Sequence, residues 1–132
     1  MFPTAPGQSG QNVRMNLNHL NLTVDDALET AQFLEKYFDL KPREGIRMSS
    51  RFAILHDDNG IVLTLIKDYE PGEVKYPSSF HIGFIQESEE RVNEINQRLK
   101  DDGFDVPSPD RIHGAWTFYF KAPGGFTIEV LG

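Results

Sequence analysis

With 132 residues the chain can bury roughly two thirds of the surface its unfolded form exposes, enough for one core without covalent staples. It contains no cysteine, which excludes disulfides, zinc-thiolate sites and thiol nucleophiles together. Twenty acidic residues against 13 basic ones give a formal net charge of −7 with the cations scattered, which argues against nucleic-acid or anionic-membrane partners.

Residues 1–14 hold Pro and Gly without a periodic apolar pattern, so a flexible leader is expected there, either native or an expression remnant. It lacks the apolar core of a signal peptide, and no stretch of the chain approaches the roughly 18 apolar residues of a membrane span; a cytosolic protein is expected. A single domain then occupies residues 15–132.

Over residues 17–24 the chain alternates, with Leu20, Leu22 and Val24 on one face and His19, Asn21 and Thr23 on the other, which predicts a strand with one apolar side. Asp25 or Asp26 caps a following helix, with Glu29 placed as in a capping box. Ala27, Ala31, Leu34 and Phe38 give that helix its inner stripe, and Pro42 blocks its continuation. Three strands are predicted next, at 43–48, 51–56 and 61–67, the last two joined by the turn Asp57-Asp58-Asn59-Gly60.

After a loop with Pro71, Gly72 and Pro77 the order recurs. Phe80, Ile82 and Phe84 form the apolar side of a strand whose other side carries His81 and Gly83. Ser88 caps a second helix with Val92, Ile95 and Leu99 inward, and Gly103 ends it. The acidic run from Glu87 to Glu90 reads as a solvated helix start. A short strand near Asp105, another over 117–120, the turn Ala122-Pro123-Gly124-Gly125 and a last strand over 126–131 complete the half. The fold class is therefore α+β, two tandem βαβββ modules at residues 15–68 and 78–132.

The halves can be slid onto one another. His81 falls on His19 at an offset of 62, and Gly125 on Gly60 at an offset of 65, which sets Glu129 opposite Thr64. Because Phe126, Ile128 and Val130 point toward the helices, Thr127, Glu129 and Leu131 point away. His19, His81 and Glu129 thus all project from the side of their strands opposite the helices. Two imidazoles and a carboxylate at an open site suit a divalent Fe, Mn, Ni, Co or Zn ion, with positions left for water or substrate. Around them, Thr64, Trp116 and Tyr119 are candidate pocket residues. His56, Arg47 and Arg51 read as surface groups.

The segments Asn18-His19-Leu20-Asn21-Leu22-Thr23-Val24, Phe80-His81-Ile82-Gly83-Phe84 and Thr117-Phe118-Tyr119-Phe120-Lys121-Ala122-Pro123-Gly124-Gly125-Phe126-Thr127-Ile128-Glu129 resemble the vicinal oxygen chelate superfamily. That superfamily includes glyoxalase I, fosfomycin-resistance transferases, extradiol dioxygenases and bleomycin-resistance proteins, and the likeness spans residues 16–131. It implies a curved mixed sheet around a metal-centred cavity with the helices outside. It also implies ligands at His19, His81 and Glu129, a homodimer, and a small-molecule substrate chelated through neighbouring oxygens. Thr64 stands where glyoxalase I carries a further ligand or base, which weighs against that activity. Fosfomycin-resistance enzymes have a strand similar to that of Thr117 and Tyr119, but usually a Thr where this chain has Asn21 and an Arg beyond the last ligand. Extradiol dioxygenases need an additional His, for which His113 is the candidate. The expectation is a metal-dependent enzyme with Tyr119 or His113 assisting proton transfer and Asn21, Thr64, Trp116 and Thr117 contacting substrate. The alternative is a bleomycin-resistance-type protein that sequesters a hydrophobic or aromatic compound in a dimer cleft.

Overall fold

A computed structural model describes residues 15–67 and 74–132; the predicted leader and most of the loop with Pro71 and Gly72 lie outside them. In chain order the elements are β1 (His19–Val24), α1 (Ala27–Phe38), β2 (Lys41–Pro42), β3 (Phe52–His56) and β4 (Val62–Lys67), followed by β5 (His81–Ile85), α2 (Glu89–Asp101), β6 (Asp110–Ile112), β7 (Ala115–Lys121) and β8 (Thr127–Leu131). The first five and the last five have the same order, βαβββ. Each set makes one four-stranded mixed sheet, β1-β4-β3-β2 and β5-β8-β7-β6, and the two sheets do not close into one. In each, the first strand runs parallel to the last, and the others are antiparallel.

Local chemistry sets the helix boundaries. Asp26 is extended and its carboxylate accepts the Glu29 N–H at 2.9 Å, so it, and not Asp25, caps α1. Ser88 does the same for α2 with the Arg91 N–H at 3.1 Å. α1 stops because Asp39 turns to φ +57°, and α2 because Gly103 turns to φ +92°.

Two predicted strands are corrected. Residues 43–50 run through turns; the strand lies earlier, where Lys41 and Pro42 pair with His56 and Leu55. Pro42 is tolerated because β2 is an edge, and Gly45 at φ +78° then bends the chain out of the sheet. The strand expected near Asp105 forms instead at β6. His113 and Gly114, at φ +51° and +82°, make a two-residue hairpin turn whose twist zips Asp110–Ile112 onto β7.

The helices cover one face of the sheets. Leu22, Val24, Leu55 and Leu65 from the first module and Phe118, Phe126, Ile128 and Val130 from the second are at most 1% exposed and belong to one cluster. α1 reaches into the second module: Phe38 stacks on Phe84 with centroids 4.3 Å apart, and Phe33 meets the edge of Phe104 at 5.3 Å. This shared packing fixes the modules relative to one another, and so fixes the sheet faces that point away from the helices. No described helix is long and apolar enough to cross a membrane.

Candidate metal centre

Strand alternation and register turn the helix-free face of the second sheet into a grid of side chains. Reading across β5, β8 and β7, its rows are His81, Thr127 and Lys121; Gly83, Glu129 and Tyr119; Ile85, Leu131 and Thr117. His81 and Glu129 are diagonal neighbours in this grid, and their Nε2 and Oε1 atoms lie 3.5 Å apart. Gly83 stands directly beside Glu129 and has no side chain to fill the gap. A Cβ built there would sit 3.8 Å from Glu129 Oε1, so anything longer would compete with the carboxylate for the space it leans into.

Both members of the pair are oriented from behind. His81 Nδ1 lies 3.0 Å from the Ser79 carbonyl, an acceptor only, so Nδ1 carries the hydrogen and the Nε2 lone pair of the neutral ring faces Glu129. Glu129 Oε2 takes the Thr117 hydroxyl at 3.0 Å, which turns Oε1 toward His81. Thr117 is 1% exposed, so this support is dry. Two lone pairs aimed at each other call for a cation between them or a proton on the ring. A separation of 3.5 Å is one that two donors, each about 2.1 Å from a common ion, can span. The donor set therefore fits a divalent transition ion.

Tyr119 completes this corner. Its ring meets that of His81 edge-on at 5.3 Å. Burial first, and then its hydrogen bond to Glu129 and the charge of that carboxylate, hold the phenol above its ordinary pKa. It is thus a proton donor at neutral pH.

The same grid in the first sheet, across β1, β4 and β3, reads His19, Val62 and His56; Asn21, Thr64 and Ile54; Thr23, Ile66 and Phe52. The His corner is kept, while Thr64 takes the place of Glu129 and Ile54 that of Tyr119. The Thr64 hydroxyl donates to Asn21 Oδ1 at 2.8 Å, so this corner is closed by a neutral hydrogen bond. His19 is exposed, and with Nδ1 bonded to Asn18 Oδ1 at 2.8 Å it too presents Nε2. His19 borders a cleft of about 240 Å³ between β1 and β5, across from Ile82 and Gly83.

Within one chain, then, the structure brings together His81 and Glu129, with Thr117 and Tyr119 around them. Among the described residues no three His, Asp or Glu side chains gather closely enough to hold an ion, so His19 does not join them here. Asn21 and Thr64 lie on the first sheet's helix-free face. Trp116 turns the other way: its indole donates to Asn93 of α2 at 2.8 Å and it packs on the core. His113 is at the exposed tip of the β6–β7 hairpin, on the sheet edge farthest from β5. His56, expected at the surface, is half-buried, whereas Arg47 and Arg51 are exposed. Ser79 and the spatial role of Gly83 were missed from sequence. An interior strand glycine flags close approach, but nothing local to Ser79 marks its carbonyl.

Residues 16–130 match the model of the Glyoxalase/Bleomycin resistance protein/Dioxygenase superfamily. The chain belongs to this superfamily. A solved structure described as a possible glyoxalase from Bacillus cereus is 54% identical, with a TM-score of 0.80 over 90% of this chain and 100% of that one. Two more distant structures show the shared fold alone. Lactoylglutathione lyase from Agrobacterium tumefaciens is 17% identical, with a TM-score of 0.69 over 91% of this chain and 95% of its own. A glyoxylase/bleomycin resistance protein/dioxygenase domain from Frankia sp. EAN1pec is 19% identical, with a TM-score of 0.74 over 90% and 98%. Comparison with curated proteins gives no match. The paired βαβββ modules are the superfamily's architecture; of the residues quoted for the resemblance, His19, Asn21, His81, Thr117, Tyr119 and Glu129 fall on its helix-free faces and the alternate apolar ones in the core.

Proposed function

We propose that this superfamily member is a metal-dependent enzyme acting on a small oxygen-rich molecule, with His81, Glu129 and His19 as ligands of one divalent ion. The observation that carries the reading is the 3.5 Å approach of His81 Nε2 to Glu129 Oε1, each with its other polar atom already committed. A divalent ion held there supplies Lewis-acid stabilisation of an anionic form of a chelated substrate.

The chain's own residues do the rest. Thr117 and the Ser79 carbonyl fix the two ligand side chains, so the site needs little reorganisation on binding. Tyr119, kept protonated, donates a hydrogen bond or proton to a developing oxyanion beside Glu129. Asn21 and Thr64 contribute polar contacts from the first module's face.

His19 reaches the pair through a homodimer in this reading. β1 and β5 are both sheet edges, and Leu17 and Ile85 beside them are 79% and 80% exposed, an arrangement that favours a second copy.

The test is metal binding by the full chain, read by elemental analysis after purification and by Mn²⁺ and Ni²⁺ titration. The expected result is one ion per chain, lost in Glu129→Gln and in His81→Ala. Mixing His19→Ala with His81→Ala chains restores one of the two sites in each mixed dimer if His19 comes from the partner, and none if it comes from the same chain. Absence of any ion-binding difference between these variants and the parent would sink the enzyme reading. It would favour capture of a hydrophobic compound, for which the half-buried face of Phe52, Ile54, Val62 and Ile66 is suited.

A further inference from the structure

The first row of the second module's grid continues past the metal pair into a second cavity. Thr127 neighbours His81 across β8, and Lys121 neighbours Thr127 across β7. At adjacent-strand spacings of about 4.8 Å, the Lys121 backbone is roughly 10 Å from that of His81 on the same face. Here Lys121 and Thr127, with Lys75 and Ser78 from the segment before β5, line a cavity of about 410 Å³.

The walls of this cavity are held in place. Tyr76, between Lys75 and Ser78, takes the Thr23 N–H at 2.9 Å and donates to the Thr23 carbonyl at 2.7 Å, which pins the segment to the outer edge of β1. Its ring stacks on Phe80 at 4.7 Å. On the other side Gly125, at φ +94°, lets the β7–β8 turn close on the Val74 carbonyl; a Cβ there would be 2.9 Å from that oxygen.

Tyr76, Pro77 and Gly125 complete the cavity's lining. In a chain of net charge −7, two lysines and two hydroxyl residues, Lys75, Lys121, Ser78 and Thr127, border one space, and neither lysine makes an ion pair among the described residues. Lysine is a point-charge partner for carboxylates and phosphates, and the hydroxyls add directed donors. Both lysines are exposed and lie outside the core, so their positive charge is available to a ligand in this cavity.

Resting on the metal-site reading, we infer that the substrate is an anion. Its oxygens would be engaged by the ion that His81 and Glu129 would hold, and a carboxylate or phosphate group about one short carbon chain away is bound by Lys121 and Lys75 with Thr127 and Ser78. Neutral diols and catechols are thereby disfavoured as substrates.

The experiment uses metal-free full-length protein at constant ionic strength, titrated with inorganic phosphate and, separately, with acetate. ³¹P line broadening reads the first and calorimetry both. Expected is saturable binding of at least one anion, weakened about tenfold in Lys121→Met and further in the Lys75→Met/Lys121→Met double variant, with unchanged Mn²⁺ affinity in both. The tighter-binding anion identifies the group. Thr127→Val, which keeps both charges, should weaken binding less and shows that a loss in the lysine variants is not misfolding. No saturable binding of either anion, or equal binding by the double variant and the parent, overturns the inference. Because the anion titrations contain no metal, failure of Mn²⁺ binding with anion binding intact would sink the metal-site reading alone.

Discussion

The single hydroxyl hydrogen of Thr117 lies between two acceptors, Glu129 Oε2 at 3.0 Å and the Val130 carbonyl at 2.9 Å. It is shared between them, so Thr117 ties the Glu129 carboxylate to the backbone of the same strand. Thr117→Val keeps the shape and the strand propensity but removes the tie. The expected outcome is a drop in Mn²⁺ affinity of about 10- to 100-fold, the usual cost of losing a partner behind a ligand, with little change in the thermal unfolding midpoint. Equal affinity in the two proteins would mean that Glu129 needs no such support.

Gly83 bears on the same carboxylate from the other side. Gly83→Ala adds an atom at ordinary contact distance, 3.7 Å from Leu131 Cδ2 and 3.8 Å from Glu129 Oε1, and should be tolerated. Gly83→Val extends into the space between Glu129 and His81, so metal binding should be abolished while far-ultraviolet circular dichroism is unchanged. Retained Mn²⁺ binding in the valine variant would show that the carboxylate reaches the ion by another path.

How much of this could be read from the letters depends on what each feature rests on. The two modules, the caps at Asp26 and Ser88 and the outward direction of Glu129 follow from local periodicity and side-chain chemistry, and were legible. So was the correspondence of Thr64 with Glu129, now seen as identical placement beside Asn21 and Gly83. The strand at 43–48 was misplaced because alternation there is overridden by Gly45, whose positive φ ends the pairing that Lys41 and Pro42 begin. Trp116 was assigned to the pocket because an aromatic beside Thr117 is ambiguous until strand facing is known; its bond to Asn93 places it against α2. Contacts between distant segments, such as Ser79 with His81 or Tyr76 with Thr23, have no local signature.

The joint between the modules should be cooperative with the whole fold. Phe33 is 6% exposed and touches Tyr37 and Phe38 in its own helix and Phe104 and Phe120 in the second module. Phe33→Ala removes all of these at once and leaves a cavity, with an expected loss of about 3–5 kcal/mol in urea unfolding. One sigmoidal transition, shifted to lower urea, is expected by both fluorescence and circular dichroism. Two separated transitions would show that the modules unfold independently.

Tyr37 and Asp102 tie the C-terminal ends of the two helices, the phenol donating to Asp102 Oδ2 at 2.5 Å with Lys36 Nζ at 3.4 Å from the same oxygen. The Tyr37 hydrogen bond first, with Lys36 adding to it against a burial penalty, lowers the Asp102 pKa below its ordinary value. Burial first, and then Asp102, raises that of Tyr37. The signs give two arms. Asp102, lowered on folding, contributes stability above the ordinary carboxylate value of about 4 and loses it as pH falls through the folded value. Tyr37, raised on folding, contributes below the ordinary phenol value of about 10 and loses that contribution as pH rises through its folded value. Tyr37→Phe removes the alkaline arm and the largest part of the acid arm, leaving the contribution of Lys36 to Asp102. The difference in unfolding midpoint between parent and variant should therefore be greatest across roughly pH 5 to 9 and shrink at both ends. A difference that stays constant with pH would assign the loss to ring packing and not to the hydrogen bond.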